Sequence, residues 1–407
     1  MTIEIRDLRA DELRPWLVAV ETAFGEGVRE ERIPGFERII EGDRILAAVD
    51  GDAIVGGGAI FSLGLTIPGG ELPAAGVTAV AILPTHRRRG ALTELMRRQF
   101  HDARERGESL AFLWASEGSI YQRFGYGLAS LSSSIEIPQS RGGFRTDSAP
   151  EGALRFIQRD EAAKVFPAIY DDVRRRTPGF FTRSADWWEI EVLDDPEWRR
   201  GGAGPRFHAV HEVDGQPEGY VSYRIREDWD WTGFKSALEV RELFGTSHRA
   251  IRELWRFCFS VDLVATVKAS LGRPDHPLLL MLAEPRRLKL TLGDALWLRI
   301  LDVAGALAPR SYAASDRVVL ELSDHFLPDQ AGRWALDTTG DSARVQRTDA
   351  APDLALDVTD LGALYLGGFT VAELARAGRT SELTVEAGRR VDAMFATDQR
   401  PWCPQIF

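Results

Sequence analysis

The chain has 407 residues, with 50 Lys and Arg against 61 Asp and Glu and a formal charge of −11; that length exceeds what one core organises, so two or three domains are expected. The negative excess argues against nucleic acid as a partner and favours cationic small molecules. Two cysteines, Cys258 and Cys403, in no metal-ligand spacing, together with the lack of any apolar run of membrane-spanning length, imply a cytoplasmic protein with no disulfide framework, no metal and no membrane association.

The first elements follow from periodicity. Ile3 and Ile5 mark a short strand, and Leu13, Trp16, Leu17, Val20 and Phe24 a helix. Strands over 44–49 and 53–63 are joined across Asp50-Gly51, a hairpin signal. An apolar strand over 77–83 is followed by PTHRRRGAL and an amphipathic helix over 91–106, with Leu92, Leu95, Met96 and Phe100 on one face. A strand over 110–116 and a short helix over 118–124 complete a mixed domain assigned to 1–150, closed by the Gly/Ser/Asp-rich SRGGFRTDSAPEG.

The same order recurs over 151–289: a helix at 161–175, strands at 206–213 and 220–226 around Asp214-Gly215, a strand at 238–243, a helix at 248–259 and a strand at 265–269. Between its strand and helix stands Gly245-Thr246-Ser247 in place of an arginine-glycine turn. A third domain over 290–407 has strands at 317–322, 334–337 and 343–348 and helices at 361–366, 371–377 and 385–396. It ends in Pro401-Trp402-Cys403-Pro404-Gln405-Ile406-Phe407, whose rings and prolines suit docking better than fraying.

The turn Arg87-Arg88-Arg89-Gly90 lies between a buried strand and a helix N-terminus. Unpaired amides and the helix dipole make such a corner an anion site, a glycine admits a phosphate closely, and Arg87 and Arg88 add charged donors. The ligand implied is a pyrophosphate. Val80-x-Ile82-x-Pro84-x-x-Arg87-x-x-Gly90-x-Leu92 resembles the acyl-CoA motif of the GNAT N-acetyltransferases, and Tyr121-Gln122-Arg123-Phe124-Gly125-Tyr126 is similar to the tyrosine motif that follows it in that family. Over essentially its whole length the chain resembles the enhanced intracellular survival family, through SEGSIYQRFGYG, Gly293-Asp294-Ala295-Leu296-Trp297, 298–303 and 361–367.

That resemblance implies an α+β protein: two tandem GNAT (acyl-CoA N-acyltransferase) folds, the second degenerate, and a sterol-carrier-protein-like α/β domain. It implies an acetyl-CoA site of Val80, Ala81, Ile82, Arg87, Arg88, Gly90, Ala91, Leu92 and Ser116, with the amides of Val80 and Ile82, on a bulged strand, holding the pantetheine arm and polarising the thioester. Tyr121 is implied as the acid for the leaving sulfur, and the α-carboxylate of Phe407 as the base, burial narrowing the gap between carboxylate and amine pKa values. Phe24, Glu26 and Phe36 fall where the family lines an aminoglycoside cleft; Ile406 replaces an acidic residue of that cleft. The implied partners are a polycationic amine, acetylated at one or several positions, or a lysine-bearing protein, and the implied assembly is a homohexamer. The alternative reading is a lipid-carrier or regulatory module using the third domain.

Overall fold

The computed structural model of the chain describes residues 3–146, 149–340 and 342–407; of the linker passage 140–152, residues 147 and 148 lie outside this range. The chain forms two compact units. One comprises Met1–Ser130, Ala295–Pro401 and Ile406–Phe407, and the other Leu131–Asp294 and Trp402–Gln405.

The first unit begins with β1 (Glu4–Asp7), α1 (Leu13–Phe24), α2 (Ile33–Ile39), β2 (Ile45–Asp50), β3 (Ala53–Ile67), β4 (Gly70–Ile82), α3 (Ala91–Glu105), β5 (Leu110–Trp114), α4 (Gly118–Tyr121) and β6 (Gly127–Leu128). The sheet order is β1-β2-β3-β4-β5, then the strand Leu296–Ile300, then β6. In α1, Trp16, Leu17, Ala19 and Val20 are buried. The Trp16 indole N–H donates to the Leu46 carbonyl at 3.0 Å, and Gly57 makes room for that ring, since a Cβ there would lie 2.2 Å from the indole nitrogen. Gly25, at φ 81°, ends the helix with its N–H on the carbonyls of Glu21 and Thr22.

The β3–β4 hairpin is longer than side-chain alternation suggests. Ile67 pairs with Gly70 across Pro68-Gly69, with Gly69 at φ 89°, the combination a type II turn needs. Gly64, Ala74, Ala75 and Gly76 carry too little side chain to mark the strands.

The core of this unit joins Met96, Phe100 and Ala103 of α3 to Val77, Ala111, Leu113, Tyr121, Tyr126 and Trp297. Leu296–Ile300 runs antiparallel to β5 from Leu296↔Trp114 to Ile300↔Leu110 and also pairs with β6. A five-stranded sheet follows, ordered Arg344–Arg347, Gly332–Asp337, Arg317–Ser323, Leu354–Asp357 and Ser381–Glu382. The helix Val358–Tyr365 starts on a capping box of Asp357 and Asp360 and is buried throughout. It packs backbone on backbone: a Cβ on Gly127 would lie 1.8 Å from the Thr359 carbonyl oxygen, and one on Gly362 would lie 2.6 Å from that of Leu298.

The second unit is a seven-stranded sheet ordered Lys289–Asp294, Leu131–Pro138, Thr266–Gly272, Ala237–Gly245, Gln216–Arg226, Phe207–Val213 and Ala153–Ile157. The helix His248–Ser260 contributes Leu254, Trp255 and Cys258 to a core with Val221, Leu238, Val240 and Val267. Trp402–Gln405 is embedded in this unit. The Trp402 ring lies 4.9 Å from Phe180, the Trp402 backbone N–H donates to the Pro178 carbonyl at 3.1 Å, and Gln405 accepts from the Trp187 indole at 3.0 Å. Cys258 and Cys403 are buried free thiols. Among the described residues no helix is long and apolar enough to cross a membrane.

Candidate active site

Strand β4 is built to leave its own sheet. It runs parallel to β5 for only three pairs, Ala74↔Leu110, Ala75↔Ala111 and Gly76↔Phe112. Further along, Ala79 and Val80 oppose the single residue Gly58 of β3, and Ala79 sits at φ 53°. This is a β-bulge, which bends the strand and increases its twist. Beyond Gly76 the two strands part, so the β5-facing edge of β4, through Val80, Ala81 and Ile82, carries backbone groups that the sheet does not use.

At the end of β4 the three arginines have different partners. Arg87 donates from Nε to the Ile82 carbonyl at 3.1 Å and from Nη2 to the Ala23 carbonyl at 3.4 Å, stapling the turn to β4 and to the end of α1. Arg89 pairs with Asp50 at 2.9 Å and holds that carboxyl below its ordinary range. Arg88, exposed and at φ 63°, makes no hydrogen bond or ion pair among the described residues. Gly90, at φ 85°, caps α3 without a side chain, and a Cβ on it would meet nothing within 4 Å. The amides of Ala91 and Leu92 stand in the first turn of α3, where the helix offers them no carbonyl. The corner is thus a bare helix N-terminus with one uncommitted guanidinium.

The corresponding corner of the second unit is filled by its own side chains. Ser247 caps the helix His248–Ser260 by accepting from the Ala250 N–H. The Glu218 carboxylate takes the Ser247 hydroxyl at 3.1 Å and Arg249 Nε at 2.8 Å, and Arg249 keeps it below the usual carboxylate range. A fixed anion therefore occupies the place where an anionic ligand would bind.

Tyr121 ends α4 and is 5% exposed. Burial pushes its hydroxyl up to about 12, while a hydrogen bond with Ser116 works the other way. Its ring meets Tyr126 edge-on at 5.8 Å. Ser116, exposed just beyond β5, thus lies beside the tyrosine hydroxyl, a contact that motif matching alone does not supply. The Phe407 ring lies 5.1 Å from Phe112 and 6.5 Å from Phe61. Its Cε2 is 3.4 Å from where a Gly76 Cβ would be, so the last residue is seated at the point where β4 and β5 separate. The family resemblance implies a docked Phe407, but not which residues seat it: Phe61, Gly76 and Phe112 lie hundreds of residues away in the chain and belong to no motif.

The three residues assigned to the acceptor are less closely gathered. Phe24 is 47% exposed at the end of α1. Glu26 is exposed, and its N–H donates to the Glu21 carbonyl at 2.8 Å. Phe36 is half-buried and stacked on Trp16 at 6.1 Å, so much of its surface is spent on packing. Glu21, which sequence reasoning missed, is partly buried; burial raises its carboxyl, opposed by Arg32 and assisted by Glu26. It falls at the polar border of the α1 stripe, where periodicity cannot tell a surface acid from a site acid.

A bulged strand that parts from its parallel neighbour and feeds a bare helix N-terminus defines an acetyltransferase of the GNAT class. Residues 4–129 match an acetyltransferase (GNAT) domain, residues 179–300 match a second, and residues 303–404 match a sterol carrier protein domain. Over 412 residues the chain is 33% identical to the N-acetyltransferase Eis of Mycobacterium tuberculosis, covering 98% of each. Over 414 residues it is 39% identical to an uncharacterized N-acetyltransferase of Streptomyces avermitilis, covering 100% of both. The crystal structure of Eis1 from Mycobacterium abscessus superposes with a TM-score of 0.86 at 32% identity, covering 99% of this chain and 100% of that one. The chain belongs to the Eis family of N-acetyltransferases: it is an acetyl-transferring enzyme with tandem GNAT domains and a sterol-carrier-like domain, and its fold is one that uses acyl-coenzyme A.

Proposed function

We propose that the first GNAT domain moves an acetyl group from acetyl-CoA to a primary amine of a cationic acceptor, either an aminoglycoside, at one or several positions, or a lysine side chain. The observation that carries this reading is the buried, Ser116-bonded hydroxyl of Tyr121, in one core with the strands that part to expose the β4 backbone.

In this reading Arg88 and the amides of Gly90, Ala91 and Leu92 receive the diphosphate. Arg87 holds the turn in shape and Val80, Ala81 and Ile82 present backbone to the pantetheine arm. The Val80 and Ile82 amides also polarise the thioester carbonyl, whose oxygen gains charge as the tetrahedral intermediate forms. An ammonium of the acceptor gives one proton to the Phe407 carboxylate, and the freed lone pair attacks the thioester carbon. The C–N bond forms, the C–S bond breaks with the sulfur held against the Tyr121 hydroxyl, and the second proton of the attacking nitrogen ends on that sulfur, giving the amide and coenzyme A thiol. Phe24 offers ring surface to the acceptor and Glu26, with Glu21 behind it, offers negative charge. The overall charge of −11 adds long-range attraction for such a cation.

The test is release of coenzyme A thiol with a panel of aminoglycosides, spermidine and lysine peptides. At least one cationic amine should support turnover, and release from none would reject the reading. Appending one glycine after Phe407 should abolish turnover and spare acetyl-CoA binding; undiminished turnover would remove the Phe407 carboxylate from its role.

A further inference from the structure

One face of the second unit's sheet carries a row of polar side chains in a buried place. His208, Ser222 and Glu242 are register neighbours across Phe207–Val213, Gln216–Arg226 and Ala237–Gly245. His208 is 7% exposed and Ser222 is 3% exposed. Phe166 lies 5.4 Å from His208 and stacks on Tyr220, the next residue along on that face.

Three arginines converge on this row. Arg183, with a side chain 0% exposed, donates from Nη2 to Glu242 at 2.7 Å and lies 4.0 Å over the ring of Tyr170 and 4.8 Å over that of Trp188. Arg224, 2% exposed, pairs through Nη2 with Asp195 and donates from Nη1 to the Arg199 carbonyl at 3.0 Å. Arg206 reaches Asp195 only through its backbone N–H, at 2.8 Å, and its guanidinium has no carboxylate partner among the described residues. Burial, with Arg224 nearby, pushes Arg206 down to about 10. Burial and the Arg206 charge push His208 down to about 4, so its imidazole is neutral at pH 7.

The row also contains buried atoms with no partner among the described residues: Nε and Nη1 of Arg183, Nε of Arg206, Nε of Arg224, Oγ of Ser222 and Nδ1 of His208. Guanidinium nitrogens can only donate, so most of these positions require an acceptor. A water molecule would bring two protons of its own, and the nearby acceptors are engaged: Glu242 by Arg183 and Tyr220, and Asp195 by Arg224 and the Arg206 N–H. With Arg200, 3.4 Å from Asp195, four guanidinium charges face two carboxylates. A guest that is acceptor-only and negative satisfies both imbalances.

We propose that this buried cluster of Arg183, Arg206, Arg224, Ser222 and His208 binds a small tetrahedral oxyanion of the sulfate or inorganic phosphate class. The four-oxygen shape suits donors arriving from several elements better than a planar carboxylate does. Trp402 of the tail rests 6.0 Å from Phe244, the register neighbour of Tyr220 on the same face. The anion therefore lies beneath the segment that carries the chain towards its last residues.

The test is thermal melting of the full-length protein in low-millimolar sodium sulfate, inorganic phosphate or acetate, against sodium chloride at matched ionic strength. Sulfate or phosphate should raise the midpoint saturably by about 3 °C or more, and comparing the two arms identifies the preferred ion. Arg206→Gln should weaken the response at least about tenfold in concentration, and Ser222→Ala, a milder change, should do so if Arg206→Gln fails to fold. No saturable shift, an equal shift with acetate, or a shift undiminished in the folded variants would overturn the proposal.

Discussion

The hydroxyl of Tyr121 shows how one residue's surroundings set its chemistry. Its pKa is pushed up to about 12 by burial despite the bond to Ser116, whereas a thiol lies near roughly 8.5. A phenol so placed does not give up its proton to a resting thioester; it donates a hydrogen bond to the sulfur as charge develops there. Tyr121→Phe should lower kcat by about 10²-fold and leave the KM for acetyl-CoA within about twofold in a steady-state thiol assay. Because the acid must be protonated to act, and its pKa is raised, the Tyr121 contribution should stay level between about pH 8 and pH 10 and decline only as pH rises towards 12. Tyr121 was legible from its motif and Ser116 as a residue of the coenzyme site, but the bond between the two was not. The buried arginines were also illegible: Arg44, bonded twice to Glu108 at 2.7 and 2.6 Å, reads in sequence as an ordinary surface charge, since no local pattern reveals a partner 64 residues away.

At the scale of elements, periodicity located α1, α3 and the helix His248–Ser260, because each presents a continuous apolar stripe to one sheet. It did not locate Leu131–Pro138, Lys289–Asp294 or Leu296–Ile300. The first is rich in serine, and its neighbour in the sheet is remote, as in Glu136↔Lys289; the third is buried on every residue and so shows no alternation. These pairings depend on contacts that only the folded chain assembles. The helix Val358–Tyr365 tests such a contact. Gly127→Ala would put a methyl 1.8 Å from the Thr359 carbonyl oxygen, so helix and strand must separate, at a cost of about 3 kcal/mol. Its melting midpoint should fall by several degrees, roughly 3–10 °C, while Gly293→Ala, with open space around it, should change it little.

Across the whole molecule, two copies of one fold differ at one corner. The first has a helix N-terminus left open by Gly90 and flanked by the uncommitted Arg88; the second has its own closed by Ser247 and Glu218. The sequence carried half of this contrast in Arg-Arg-Arg-Gly against Gly-Thr-Ser, but not the carboxylate of Glu218, which arrives from the neighbouring strand. A phosphate brought to the second corner meets the Glu218 carboxylate, already held by Arg249 and Ser247, where the first corner leaves its N-terminus open. Calorimetric titration of the full-length protein with acetyl-CoA measures this directly: one equivalent should bind per chain, whereas two equivalents, or none, would contradict the assignment of the coenzyme site to the first domain alone.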